Sequence, residues 1–333
     1  MPSAYSDDSV ATFVKSISQI VAQAEHQQEK SIEGNDGWLF FVPELRCLSV
    51  GSFWGDAAAK VSRASKPEHA DPLPAILDFK AQLDKAGIEL LFVPVPAKAT
   101  IYPDALVNGI TVSSDEPLRV DRHHLEFYRI LEESGIRVLD LAPVFLKHRS
   151  AEKAPLYCKQ DTHWSGQACV LTAKLIAEMI CDREWLKDLS KRQYELQDRT
   201  VEITGDLWRS LGDVDLPKEQ LQLTFVGERS SDRFVPVETW RESPVVLLGD
   251  SHNLVFHIGG DMHANGAGLA DHLAHQLGFP VDLVASRGSG ATPSRGSLAR
   301  RRDNMKGKKL VIWCISVREF TEGQGWAKVP VIR

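Results

Sequence analysis

Two short stretches hold residue types that could do chemistry together. In LYCKQDTHWS, residues 156–165, Asp161, His163 and Trp164 fall within four positions, just ahead of a run with helical character. In VVLLGDS, Gly249, Asp250 and Ser251 follow directly on an unbroken apolar stretch. An Asp-x-His pair can be two metal ligands, the acid and base of a catalytic triad, or a polar helix entrance. In a triad the carboxylate accepts from imidazole Nδ1–H and leaves Nε2 to take a serine proton. Ser251, on a sharp turn after an apolar strand, would be presented for attack. The plainer alternative is that Gly249, Asp250 and Ser251 only close a strand and cap the next helix. Ser165 reads as the N-cap of the helix GQACVLTAKLIAEMI, whose positive end would lie near the site.

The metal reading needs more ligands than this pair. His252, His257, His263, His272 and His275 invite it, and Asp250 or His252 could complete a set with Asp161 and His163. His272 and His275 are one helical turn apart, but no carboxylate stands at the register of a zinc-binding helix, so a polar face is the simpler reading. The five cysteines, Cys47, Cys158, Cys169, Cys181 and Cys314, are scattered, odd in number and free of any C-x-x-C pair. They read as buried thiols rather than a zinc site or a disulfide framework. Neither a metal nor a cofactor is expected.

Residues this far apart cooperate only if the fold carries them to one edge. AILDFKAQLDKAGIELLFVPVP is an amphipathic helix capped at Gly87 and followed by an apolar strand from Leu90 to Val95. HHLEFYRILEESGIRVLDLAPVF repeats the plan, with Gly135 as cap and a strand from Val138 to Leu141. Further strands are expected at 244–248, 281–285 and 309–316, separated by the helical stretches GLADHLAHQLGF and SLARRRDN. Helices alternating with strands that are apolar on both faces mean a parallel sheet covered on both sides, an α/β flavodoxin-like three-layer sandwich. In such sheets ligands bind at the carboxyl ends of strands, where Ser251 is delivered. Residues 1–32 should form an N-terminal helix with Val10, Phe13, Val14, Ile17, Ile20 and Val21 on its apolar stripe. Residues 33–333 should form the main domain, with 183–242, polar and rich in short strand-like pieces such as RTVEIT and LQLTFV, as a lid or rim insertion.

Bulk properties narrow the partners. A net charge of −6 gives no electrostatic reason to expect nucleic acid. The one basic cluster, LARRRDNMKGKK at 298–309, reads as a solvated helix face. No apolar run is long enough to span a membrane, and the acidic start MPSAYSDDSV is no signal peptide, so read literally the chain stays in the cytoplasm.

DTHW paired with a later LLGDS, preceded by DGWLFF and PVPAKATIYP and followed by VIWCISVREF, resembles the SGNH-hydrolase-like domain of the alginate O-acetylation proteins, the AlgJ/AlgX group. The likeness runs from about residue 33 to about 320. Its motif order, Asp-x-His first and Gly-Asp-Ser second, reverses that of ordinary SGNH esterases. The resemblance implies a triad of Asp161, His163 and Ser251 that takes an acetyl group onto serine and passes it to a sugar hydroxyl. It also implies a periplasmic or other extracytoplasmic setting, a polysaccharide or oligosaccharide acceptor, and an acetyl donor delivered by a membrane acyltransferase. Besides the Ser251 N–H, Asn253 and Arg287 are candidate oxyanion or substrate-binding groups. Lys98 could reach an anionic substrate or lie solvated in a loop, and Tyr102 and Trp164 could stack on sugar rings or pack at a core edge. His252 after the serine and Cys314 in the last strand depart from the group's pattern. The expected function is therefore a serine-dependent exopolysaccharide O-acetyltransferase. The alternatives are a carbohydrate acetylesterase using the same residues and a non-catalytic polysaccharide-binding or assembly protein.

Overall fold

The computed structural model describes residues 4–112, 118–150, 154–212, 216–230 and 233–333. It begins with the helix Ala4–Gln27, longer at both ends than the apolar stripe suggests. Val10, Phe13, Ile17 and Val21, spaced to share one helical face, are buried in the main core. A turn at Asn35–Gly37 then joins a short antiparallel pair, β1 (Ser31–Glu33) and β2 (Leu39–Phe41).

The central sheet has five parallel strands, with helices on both faces. They are β3 (Glu89–Val95), β4 (Arg137–Val138), β8 (Val245–Gly249), β9 (Asp282–Ala285) and β10 (Leu310–Ser316). Their order is β4-β3-β10-β8-β9, so the last strand in sequence lies at the centre. Every residue of β8 and β10 is buried, which explains why these strands read as unbroken apolar runs rather than as alternating patterns. The helices Leu73–Lys85 and Arg122–Glu133 end as expected before Gly87 and Gly135, both at positive φ.

Two expectations need correction. The strand expected over 138–141 is only Arg137–Val138, because Asp140 turns the chain toward a helix: its Oδ1 accepts from Ala142 N at 3.0 Å, and Pro143 sits in the first turn of Ala142–His148. The helix read from SLARRRDN runs over Thr292–Arg301, starting earlier with Pro293 in its first turn.

Residues 195–236 contain a second, antiparallel sheet of β5 (Glu195–Ile203), β6 (Glu219–Ser230) and β7 (Arg233–Pro236); residues 213–215 and 231–232 of the 183–242 segment lie outside the described residues. Along β6, Leu221, Leu223 and Phe225 join the main core. The alternating residues Gln220, Gln222 and Thr224 pair outward with Glu202, Thr200 and Asp198 of β5 at 2.6–2.8 Å. The period of two lets one face of this sheet pack while the other stays polar.

Candidate active site

Strand β8 ends at Gly249, whose α-carbon lies so close to β10 that an added Cβ would sit 1.8 Å from the Cys314 carbonyl oxygen. Only glycine fits there, and the chain turns at once into the 3-10 turn Ser251–Asn253. Asp250 holds that turn: Oδ1 accepts from His252 N at 2.9 Å and Oδ2 from Ser316 N at 2.7 Å. Burial alone would raise the Asp250 pKa, but His252, Arg318 and the Ser316 N–H keep it well below the usual carboxylate range. Ser251 is thereby fixed at the carboxyl edge of the sheet.

Asp161 and His163 arrive from a tight loop whose ends, Tyr157 and Trp164, form an isolated antiparallel bridge. Charged side chains from three other parts of the chain satisfy its backbone. Lys98 Nζ donates to the carbonyls of Leu39, Lys159 and Asp161 at 2.8, 3.3 and 2.7 Å. Glu219 accepts from the N–H groups of Lys159 and Gln160, and Asp206 accepts from Thr162 N and Oγ1. Gly205, just before Asp206, has no room for a side chain, since a Cβ would lie 1.9 Å from the Gln160 carbonyl oxygen.

The two segments meet edge to edge. His163 Nε2 lies 2.8 Å from Ser251 Oγ, and His163 Nδ1 lies 2.6 Å from Asp161 Oδ1 on the far side of the ring. Asp161 also accepts from His163 N, from Asp206 N and from His263 Nε2. Burial would raise the Asp161 pKa, but the His163 charge and the donors on both oxygens hold it well below the ordinary value. Burial would lower that of His163, but Asp161 outweighs it and holds the imidazole above its usual value. Burial prevails at His252, which is pushed down despite Asp250, and its ring centroid lies 4.9 Å from that of His163. Such a chain can move a proton from the serine hydroxyl to His163 while Asp161 balances the charge.

The structure places the other candidates elsewhere. Lys98 neither reaches outward nor lies solvated: it is buried with its ammonium on three carbonyls, and burial lowers its pKa. Tyr102 is buried and stacked on Trp38, its hydroxyl donating to Arg149 O and accepting from Leu156 N. Trp164 is wholly buried, donating from Nε1 to His252 O at 3.0 Å, so it ties the two segments together and offers no platform. Asn253 spends its amide N–H groups on the carbonyls of Cys314 and Asp250 at 2.8 and 3.2 Å, which removes it as an oxyanion donor. Arg287 forks onto Asp261 at 2.5 and 2.8 Å, both side chains half exposed. Ser165 does occupy an N-cap position, but its hydroxyl donates to Pro155 O rather than capping the helix.

Among the described residues, one group has metal-like spacing, Asp161, His163 and Asp206, and hydrogen-bond donors already engage its carboxylates. His257 is held by Asp271 at 2.9 Å. Sequence reasoning missed Asp206 and Glu219, met His263 only as a possible metal ligand, and met Arg318 only as part of VIWCISVREF. Arg318 follows β10, 11% exposed, with Nη1 3.2 Å from Glu44 Oε1, and its charge bears on both Asp250 and His163. Its place at the carboxyl end of a central strand was the available signal. Asp206 carried a weaker one, as an acidic residue opening a helix.

A parallel five-stranded sheet bearing a Gly-Asp-Ser turn at its carboxyl edge, met by an Asp-x-His loop, defines an SGNH-hydrolase-like α/β protein. The family model for the SGNH hydrolase-like domain of the acetyltransferase AlgX matches residues 32–317, and the chain belongs to that family. It is 28% identical over 182 residues to "Probable alginate O-acetylase AlgJ" of Pseudomonas fluorescens, a match covering 52% of this chain and 44% of that protein. The chain spans less than half the length of the curated relatives it matches. Its fold is like that of the O-acetyltransferase domain of Pseudomonas putida AlgJ, with a TM-score of 0.62 at 20% identity over 87% of this chain and 91% of that one. It is also like Pseudomonas aeruginosa AlgX, with a TM-score of 0.60 at 17% identity over 86% of this chain and 62% of that one.

Proposed function

We propose that this chain is an O-acetyltransferase that carries acetyl on Ser251 and passes it to a hydroxyl of an alginate-like exopolysaccharide. The observation that carries the reading is the continuous hydrogen-bonded line from Ser251 Oγ through His163 to Asp161, with both links under 3 Å. In the first half-reaction, His163 Nε2 takes the Ser251 proton as Oγ attacks the acetyl carbonyl carbon of the donor. The bond to the leaving group then breaks, and His163 returns the proton to that group. In the second, the acceptor hydroxyl gives its proton to His163 and attacks the acetyl-serine, and Ser251 leaves with that proton. The Ser251 backbone N–H, at the start of the 3-10 turn, faces the oxyanion in both steps. Family membership and the named relatives support acetyl transfer and a polyuronate acceptor. The same reading has a membrane acyltransferase supply the acetyl group outside the cytoplasm, with residues 183–242 forming a rim of the acceptor site.

The test is turnover of a chromogenic acetyl ester, with and without alginate oligosaccharide, following acetylated sugar by mass. We expect Ser251→Ala to lower turnover at least ~10⁴-fold without loss of folding, as removal of a triad serine does. A chelator should leave the rate unchanged. Activity that survives Ser251→Ala and disappears with chelator would transfer Asp161 and His163 to a metal site. Ester turnover that no oligosaccharide diverts from hydrolysis would make the protein an acetylesterase.

A further inference from the structure

We infer that His263 is a positioning residue of this site, which fixes the Asp161 carboxylate by donating to its second oxygen. The inference rests on the acyl-serine reading and concerns a residue to which the triad assigns no role. Oδ1 of Asp161 faces His163, accepting from both Nδ1 and the backbone N–H. Oδ2 faces the other way and has two donors, Asp206 N and His263 Nε2, each at 2.9 Å. The His263 side chain is 6% exposed and packs beside the Phe256 ring, with centroids 5.9 Å apart. A bond to a carboxylate requires a proton on His263 Nε2. With donors on both sides the carboxylate cannot rotate, so the plane and tautomer of His163 are set before substrate arrives.

The backbone supplies an independent argument. His263 has φ +72° and ψ −48° and is the central residue of a γ-turn closed by Ala264 N to Met262 O at 2.9 Å, a conformation strained for any residue with a β-carbon and easy only for glycine. The preceding turn is already closed by His263 N to Gly260 O at 3.0 Å and Met262 N to Gly259 O at 3.1 Å. Folding of this loop alone would therefore be served better by glycine. What histidine adds is a ring long enough to reach Asp161. A purely structural role would show in stability alone, whereas a positioning role shows in kcat and in its pH dependence.

His263→Asn keeps a β-carbon, and with it the backbone strain of the parent, but is too short to reach Oδ2, whereas His263→Gln keeps an N–H close to the position of Nε2. In the full chain, using the chromogenic acetyl ester, we expect His263→Asn to lower kcat about 10–100-fold, the usual scale for losing an outer partner that orients a reactive group. Its melting temperature should fall only modestly, because Asp161 Oδ2 keeps the Asp206 N donor, and the pH dependence and the Gln rescue distinguish positioning from stability. Asp161, relieved of one donor, becomes a stronger acceptor and stabilises the His163 imidazolium, so the acid limb of kcat/KM should move to higher pH. Asp206, Arg318 and the His252 ring, the other groups acting on His163, remain in place. His263→Gln should recover most of the lost rate and return the limb toward its original position. The assignment is overturned if His263→Asn keeps kcat and the limb, or if it loses rate at all pH values only in step with a lower melting temperature and without rescue by Gln. Ser251→Ala separates the two readings. If it turns over ester like the parent, the serine mechanism falls and this inference with it; if it is inactive while His263→Asn is normal, only the assignment of His263 falls.

Discussion

At the scale of single residues, the pair Asp161 and His163 sets stability and activity against each other. His163 must be neutral to accept the Ser251 proton, and its pKa is held above the ordinary value of ~6.5. The acid limb of kcat/KM is therefore expected above pH ~6.5, which a pH–rate profile with the acetyl ester measures. The stability contribution runs the other way. The raised pKa of His163 stabilises the fold below ~6.5, and this contribution is lost as pH rises through the folded value. The depressed pKa of Asp161 stabilises above ~3.9 and is lost as pH falls through the folded value. The pair is thus most stabilising between about pH 4 and 6.5, where the base is protonated and the site idle. Glu319 adds a second loss, since burial and then Asp250 push its carboxyl up to about 7, so its ionisation weakens the fold between pH ~4.5 and 7. In Glu319→Gln the fall in melting temperature from pH 5 to 8 should shrink by the part due to Glu319. An equal fall in parent and variant would show that Glu319 contributes nothing. Asp161→Asn should lower kcat about 10⁴-fold by favouring the wrong tautomer, and a variant within tenfold of the parent would remove Asp161 from the triad.

At the scale of elements, legibility followed the range of the interactions. The central strands could be read because burial on both faces leaves uninterrupted apolar runs, and Ser251 because a Gly-Asp-Ser turn directly follows one. The short β4 was misread because Asp140, just before the helix Ala142–His148, accepts from Ala142 N and turns the chain out of the strand, a local preference that competes with an apolar pattern. Lys98 could not be read from its neighbours: the carbonyls it binds belong to Leu39, Lys159 and Asp161, close only after folding. Trp164 and Tyr102 have the residue types of sugar platforms but serve as interior ties, and type alone does not separate the two. The role of Lys98 can be measured. Lys98→Met should leave these carbonyls short of a donor, at ~1–3 kcal/mol for each group so exposed to burial without a partner. We expect a stability loss of at least ~2 kcal/mol by urea denaturation, with a fall in kcat as the Asp161 loop loosens. A variant as stable as the parent would mean that the loop holds itself.

At the scale of the whole molecule, the acceptor can be probed through its charge. The chain carries −6, and an alginate-like polyuronate is a polyanion, so their long-range interaction is repulsive. Several basic side chains that could offset this are already paired with carboxylates: Arg301 and Lys308 share Asp282, Arg287 holds Asp261, and Arg318 holds Glu44. Salt screens such repulsion over ~10 Å at 0.1 M and ~3 Å at 1 M. KM for an anionic oligosaccharide should therefore fall as ionic strength rises from ~0.05 to ~0.5 M, while KM for a neutral acetyl ester stays level. The contrast between the two substrates separates the electrostatic effect from any general effect of salt on the enzyme. A KM that rises with salt would mean that the polymer docks on a basic face, with Arg300, Arg302, Lys306 and Lys309 of the 298–309 cluster the first to substitute. A KM indifferent to salt for the anionic polymer, combined with efficient transfer to a neutral oligosaccharide, would leave the acetyl-serine chemistry intact and remove alginate as the acceptor.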